Sequence, residues 1–170
     1  MTDLEAAVTA LQARVQHLDD QAAIYQLIAN YGPAADSGWS EMAASLWTED
    51  GIYDAQVGAW QGRPAIAGMI DGDTHQGYIH AGCAHVLTMP YITIDGDTAV
   101  ATCYGQLFRN DGENFRIWRV TATRWELRRE ADGWRIANRV NKLLDGDASA
   151  RELLRRGLTH QGTDRQGARH

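Results

Sequence analysis

Cysteine is scarce in this chain: Cys83 and Cys103 are the only two among 170 residues. Neither belongs to a C-x-x-C or Cys/His cluster with zinc-ligand spacing, so both read as free thiols. H-E-x-x-H is absent too. His75, His80 and His85 are spaced by five, so on one strand neighbours would face opposite sides and would not chelate one ion. No metal site is expected. A surplus of positive charge is also missing: 22 acidic residues against 16 basic ones leave a net charge of −6. That charge repels nucleic-acid phosphates and anionic membrane surfaces. No apolar run approaches the length that spans a bilayer, and the start MTDLEAAVTALQ lacks the basic and apolar regions of a secretory signal. Together these absences point to a cytoplasmic protein that engages neither nucleic acid nor membrane, and whose partner is a small molecule or a protein.

What is present suffices for one packed domain, since 44% of the residues are hydrophobic. Leu4, Val8, Leu11, Val15 and Leu18 recur at steps of four and three, predicting an amphipathic helix over residues 3–18 with a narrow apolar seam. The seam is too short for a free-standing coiled coil, and it favours association of copies as a dimer or trimer. A second helix is predicted after Asp19 and Asp20, which can cap it, with Ile24, Leu27, Ile28 and Tyr31 on one face. Gly32-Pro33 should kink it or start a new turn. Short helices are predicted over 41–47 and 64–70, with a strand at Ile52-Tyr53-Asp54 between them.

From His80 onward the pattern changes to strands, over 80–89, 91–94, 99–109, 116–129 and 134–144. They are punctuated by Asp95-Gly96, Asp111-Gly112 and Asp132-Gly133, the dipeptides of antiparallel hairpins. Helices first and hairpins afterwards argue for an α+β domain, with helices on one face of a curved antiparallel sheet that can enclose a pocket. The organisation is an N-terminal helix (1–18), the main domain (19–145), and a C-terminal segment (146–170) holding a short helix over 148–156 and a mobile polar end.

Asp36 follows an apolar helix face with no charge partner nearby in sequence. It either caps the next turn or points inward to orient a histidine. Among the histidines, His80 at the entrance to the sheet is the candidate to reach the pocket, and His85 reads as a core residue bonded to backbone. Of the strand arginines, Arg139 is the one expected to face the cavity and take a substrate carboxylate, whereas alternating arginines usually form a solvated face. Tyr53, Trp39, Tyr104 and Trp118 are candidates to line the pocket, and the aromatic content favours a flat hydrophobic or aromatic ligand.

The segments QLIANYGPAADSGWSEMAASLWTEDGIYD, YIHAGCAHVLTMPYITIDGDTAVATCYGQL and RWELRREADGWRIANRV resemble the SnoaL-like branch of the NTF2-like superfamily over residues 20–144. That branch includes bile-acid dehydratase, hexachlorocyclohexane dehydrochlorinase and scytalone dehydratase. The resemblance implies a cone-shaped fold and a cofactor-independent lyase, a dehydratase or related β-elimination enzyme, or one that releases an aldehyde by carbon–carbon cleavage. Its substrate would be a cyclic, steroid-like or aromatic hydroxylated molecule. It also implies roles: His80, in Ile-His-x-Gly, as base; Asp36 as its partner; Tyr31 as donor to the substrate oxygen. The dehydrochlorinase has lysine at the Tyr31 position, so haloalkane elimination is not the expectation. A ketosteroid-isomerase-like assignment instead makes Asp54 the base, giving an isomerase or polyketide cyclase. A non-catalytic ligand-binding or assembly subunit is the third reading.

Overall fold

The computed structural model describes residues 2–159; the polar end expected to be mobile falls at 160–170, outside the described residues. One helix, α1 (Asp3–Asp36), replaces the two predicted, and it begins in a capping box between Thr2 and Glu5. It runs unbroken past Asp19-Asp20 because Asp20 turns its carboxylate toward the sheet. There the carboxylate accepts two bonds of 2.7 Å from the Arg129 guanidinium and one of 3.1 Å from the Trp134 indole. Pro33 lies inside the helix, which continues to Asp36. The apolar seam of its first half faces outward, with Leu4, Val8, Leu11, Val15 and Leu18 all exposed.

The chain continues through α2 (Ser40–Ser45), β1 (Trp47–Asp54), β2 (Ala59–Gln61), α3 (Arg63–Asp71), α4 (Asp73–Ala81), β3 (Cys83–Leu87), β4 (Tyr91–Asp95), β5 (Thr98–Asn110), β6 (Phe115–Glu130), β7 (Gly133–Leu143) and α5 (Ala148–Leu158). The strands form one sheet in the order β2-β1-β7-β6-β5-β3, with β4 also on β5. All its pairings are antiparallel except β1 with β7, which run parallel. The sheet is therefore mixed, where a purely antiparallel one was expected.

One departure from the predicted elements bears on function. Residues 73–81 form α4, whereas the sequence pattern assigned His80 to a strand. Gly82, at φ +92°, ends that helix and lets β3 begin at Cys83. In addition, α5 packs on the face opposite α1. On β5, Ala99, Ala101 and Cys103 join the core, while Thr102, pointing the other way, meets Gly157 of α5. The core between α1 and the sheet is built on Ile24, Ile28, Tyr31, Trp47, Trp125 and Ile136, each at most 1% exposed.

Candidate active site

Gly32 sets the approach of α1 to the sheet. A Cβ built at this position would stand 2.4 Å from the His85 carbonyl oxygen, so only glycine lets the helix backbone lie this close to β3. One turn later that proximity delivers Asp36 to His85. The His85 amide N–H donates to Asp36 Oδ2 at 2.6 Å, and His85 Nδ1 lies 2.5 Å from Oδ1. The Cys83 thiol also donates to Oδ1, at 3.4 Å.

Burial pushes the Asp36 carboxyl upward, but the bonds and charge from His85, its amide and the Cys83 thiol outweigh this and hold it below its ordinary value. An ionised carboxylate only accepts, so the proton between the two side chains belongs to His85 Nδ1. Nε2 is then the basic nitrogen, on a ring that borders two cavities. The same carboxylate, after burial, helps push the Cys83 thiol up to about 12.

The larger cavity, about 640 Å³, lies between α3, α4, the β1–β2 hairpin and the sheet, and is bordered by Tyr31, Tyr53, Trp60, His75, His85 and Arg119 among others. Tyr53, His85 and Arg119 also border a recess of about 20 Å³, together with Arg139 and Thr121. Sheet register builds the surroundings of Arg139. It pairs with Tyr53 on β1 and Trp125 on β6, and its Cζ lies 4.6 and 4.2 Å from those rings and 3.9 Å from that of Tyr31. Arg139 is only 2% exposed, yet Nε and Nη1 have no hydrogen-bond partner. Three π faces offset part of its desolvation, about 1–2 kcal/mol each. Burial, with a further contribution from Tyr53 and against the opposing charge of Arg139, pushes the Tyr31 phenol well above its ordinary value, so it stays protonated.

His75 is a residue that the sequence reading did not assign to the site. Its ring is nearly parallel to that of His85, centroids 5.4 Å apart, and Nε2 lies 3.1 Å from the Ala35 carbonyl oxygen. Desolvation lowers its pKa against the opposing Ala35 bond, and the charge of His85 lowers it further. The ring is thus neutral, with the proton on Nε2 and a lone pair on Nδ1. Asp36, His75 and His85 place ligand atoms within 4.8 Å of one another, a grouping that could hold a divalent ion and that histidine spacing alone had argued against. An ion there would compete with the proton that His85 gives to Asp36.

Several assignments change. His80 is exposed on α4 with Nδ1 2.7 Å from the Gln76 carbonyl oxygen, and Asp36 meets His85 in its place. The helix carries His80 away from the site that a strand would have brought it to. Trp39 precedes α2 with 58% exposure, and Tyr104 is 47% exposed on the sheet face opposite Cys103. Trp118, 60% exposed, stacks on Arg109 instead of bordering either cavity. Asp54 accepts from the Gln56 amide at 3.0 Å and borders neither cavity. Tyr31, Tyr53 and Arg139 do border the cavities, while Arg119, like His75, was missed.

The SnoaL-like domain family matches residues 16–140. This chain belongs to the SnoaL-like family. Its fold is that of an NTF2-like protein with a cystatin-like fold from Novosphingobium aromaticivorans, 48% identical, over 86% of this chain and 96% of that one at TM-score 0.84. A Catenulispora acidiphila protein solved in complex with S-DNPA is 25% identical, over 72% and 91% of the two chains at TM-score 0.63. A hexachlorocyclohexane dehydrochlorinase from Novosphingobium barchaimii shares the fold at 15% identity, over 77% and 90% at TM-score 0.68. No protein with a curated description matches the chain. Among the described residues no helix is long and apolar enough to cross a membrane.

Proposed function

We propose that this SnoaL-like protein is a lyase in which His85, oriented by Asp36, moves a proton on a cyclic or aromatic hydroxylated substrate bound in the larger cavity. The observation that carries this reading is the 2.5 Å contact between His85 Nδ1 and an ionised Asp36, which leaves Nε2 as the base on the cavity wall. Nε2 takes a proton from a carbon beside the bond to be broken, and the C–H electron pair becomes the new double bond. The β-oxygen departs with its own bonding pair, and the imidazolium returns the proton to it as water leaves. Asp36 balances the charge that His85 carries in between. Where the substrate has a carbonyl, oxyanion character develops, and the protonated Tyr31 phenol and the buried Arg139 guanidinium suit that charge. The cavity lies among Tyr31, Tyr53 and Trp60, in keeping with a ring-shaped ligand. The chain's own side chains supply the proton transfers, with no cofactor called for. The isomerase alternative built on Asp54 loses ground because that carboxylate borders neither cavity.

The test is turnover of cyclic β-hydroxy ketones and hydroxylated aromatics, followed by the absorbance of the conjugated product. His85→Asn and Asp36→Asn should each lower kcat by roughly 10²–10⁴-fold, while His80→Ala leaves it unchanged. Full turnover in the His85→Asn protein would overturn the proposal. Ligand-induced stabilisation without turnover across the panel would favour a binding module instead.

A further inference from the structure

Strands β6 and β7 carry seven arginines. Arg116, Arg124, Arg128, Arg129 and Arg135 each hold a carboxylate, respectively Asp111, Glu126, Asp50, Asp20 and Asp132. Arg119 and Arg139 hold none among the described residues, and these are the two that border the cavities. Acids are not in short supply in a chain of net charge −6. The distribution therefore separates five arginines engaged by the chain's own acids from two that are not, one bordering both the cavity and the recess and one bordering the recess.

Leaving a cation partly or wholly out of water without an anion costs several kcal/mol, so a structure that does so twice in one place is completed by an anion from outside. Arg139 leaves two buried donors unpartnered, Nε and Nη1, where Arg124 and Arg135 each leave only Nε. It lies deep in its aromatic cage, and its part in the proposed chemistry is to face the oxygen that gains charge. Arg119 differs in position. It borders both the large cavity and the small recess, directly across from the buried Leu107 of β5, and is only half-buried. A guanidinium there can approach a ligand filling the large cavity while the recess, with room for little more than one water-sized group, takes a single small atom group. Asp36, the acid beside the bases, borders neither cavity and is already engaged by His85, and Asp73, which borders the large one at the start of α4, forms no ion pair with Arg119.

We propose that the ligand of this cavity carries a carboxylate and that Arg119 is the residue that reads it. The inference rests on the same cavity being the reactive site, but concerns binding, which can be measured without chemistry. Arg119 pairs with the carboxylate through its planar fork, and Arg139 lends its positive field from behind. The substrate class narrows from hydroxylated ring compounds to hydroxylated ring compounds bearing an acid group.

The experiment is isothermal titration of 4-hydroxycinnamate against its uncharged amide into wild-type, Arg119→Gln, Arg119→Lys and His85→Asn proteins. Wild-type and His85→Asn should bind the acid about tenfold or more tightly than the amide. Arg119→Gln should bring the two within about threefold, with Arg119→Lys between, because lysine keeps the charge and loses the fork. Circular dichroism checks that each variant is folded, and the lysine variant carries the test if the glutamine one is not. Equal binding of acid and amide by wild-type, no binding of the acid, or an undiminished preference in a folded Arg119 variant would each overturn the proposal. The His85→Asn arm keeps the two readings apart. Turnover surviving in that protein defeats the lyase reading while leaving the carboxylate preference to stand or fall on its own.

Discussion

Replacing Gly32 with alanine perturbs the site without touching any group that does chemistry. The added Cβ would stand 2.4 Å from the His85 carbonyl oxygen, whereas the shortest ordinary C···O contacts are about 3.3 Å, so α1 and β3 must separate by about 0.9 Å. If that movement falls along the Asp36–His85 bonds, now 2.5 and 2.6 Å, both open to roughly 3.4–3.5 Å, where little hydrogen bonding survives. Overpacking of this kind costs about 1–3 kcal/mol, and alanine returns about 1 kcal/mol of helix propensity, leaving a net loss of about 0–2 kcal/mol. Two measurements follow. Urea unfolding should show a lower midpoint at unchanged slope, and ¹⁵N NMR should show the His85 Nδ1 proton exchanging faster as its carboxylate partner recedes. A variant as stable as the parent, with that proton unaltered, would refute the idea that Gly32 sets the distance between Asp36 and His85.

The Asp20 carboxyl, brought down to about 2 chiefly by its bonds to Arg129, with burial opposing and Trp134 assisting, contributes stability above its unfolded value of about 3.9 and loses it as pH falls from about 4 to 2. Roughly 1–2 kcal/mol should disappear over that window once solvent screening at the partly exposed Arg129 is allowed for. Acid unfolding of Arg129→Met should lose that part of the pH dependence. Asp36→Asn should bring the Cys83 thiol down from about 12, because its charge and hydrogen bond are the causes next after burial. Faster alkylation by iodoacetamide checks this, and an unchanged rate would mean that burial alone protects the thiol. Leu11→Asp in the exposed seam of α1 should lower the sedimentation mass if copies associate there, and an unchanged mass would remove the seam as an interface.

Much of the fold is written in local chemistry. The three Asp-Gly turns and the runs between them predict β4, β5, β6 and β7 to within a few residues, because alternation and turn residues act over short distances. Local chemistry misled at residues 73–81, where Thr74, Tyr78 and Ile79 are indifferent helix formers, Gly77 is a poor one, and the predicted strand begins at His80. What makes this segment a helix is its place under the cavity, with His75 buried and bonded to Ala35 of α1, forty residues earlier. The same shift moved the histidine partner of Asp36 from His80 to His85. The signal available in the sequence was Gly82, a chain-reversing residue that separates the two and leaves Ala-His-Val as the strand entry. Asp20 shows the converse error: an Asp-Asp pair reads as a helix cap until a distant Arg-x-x-x-x-Trp pair on the β6–β7 hairpin claims it.

Two histidine rings stacked 5.4 Å apart could in principle share a proton, and the site is arranged so that they do not. Asp36 sits against Nδ1 of His85 with a second oxygen tied to the same residue's amide, so the charge that accompanies proton uptake is balanced chiefly at His85. His75 is desolvated, commits its only proton to a backbone carbonyl, and would gain a positive neighbour the moment His85 is protonated. Desolvation and that positive neighbour oppose a charge on His75 and outweigh the Ala35 bond and the Asp36 charge, which favour it. The Arg119 guanidinium adds to the opposition from the cavity side. In the proposed reaction His85 therefore cycles between neutral and charged while His75 presents a lone pair, a division of roles between like groups that follows from which group each ring's proton faces. A ligand carrying a carboxylate at Arg119 would offset the arginine's field at His75, so its binding and a proton on that ring are linked, each favouring the other by the same free energy.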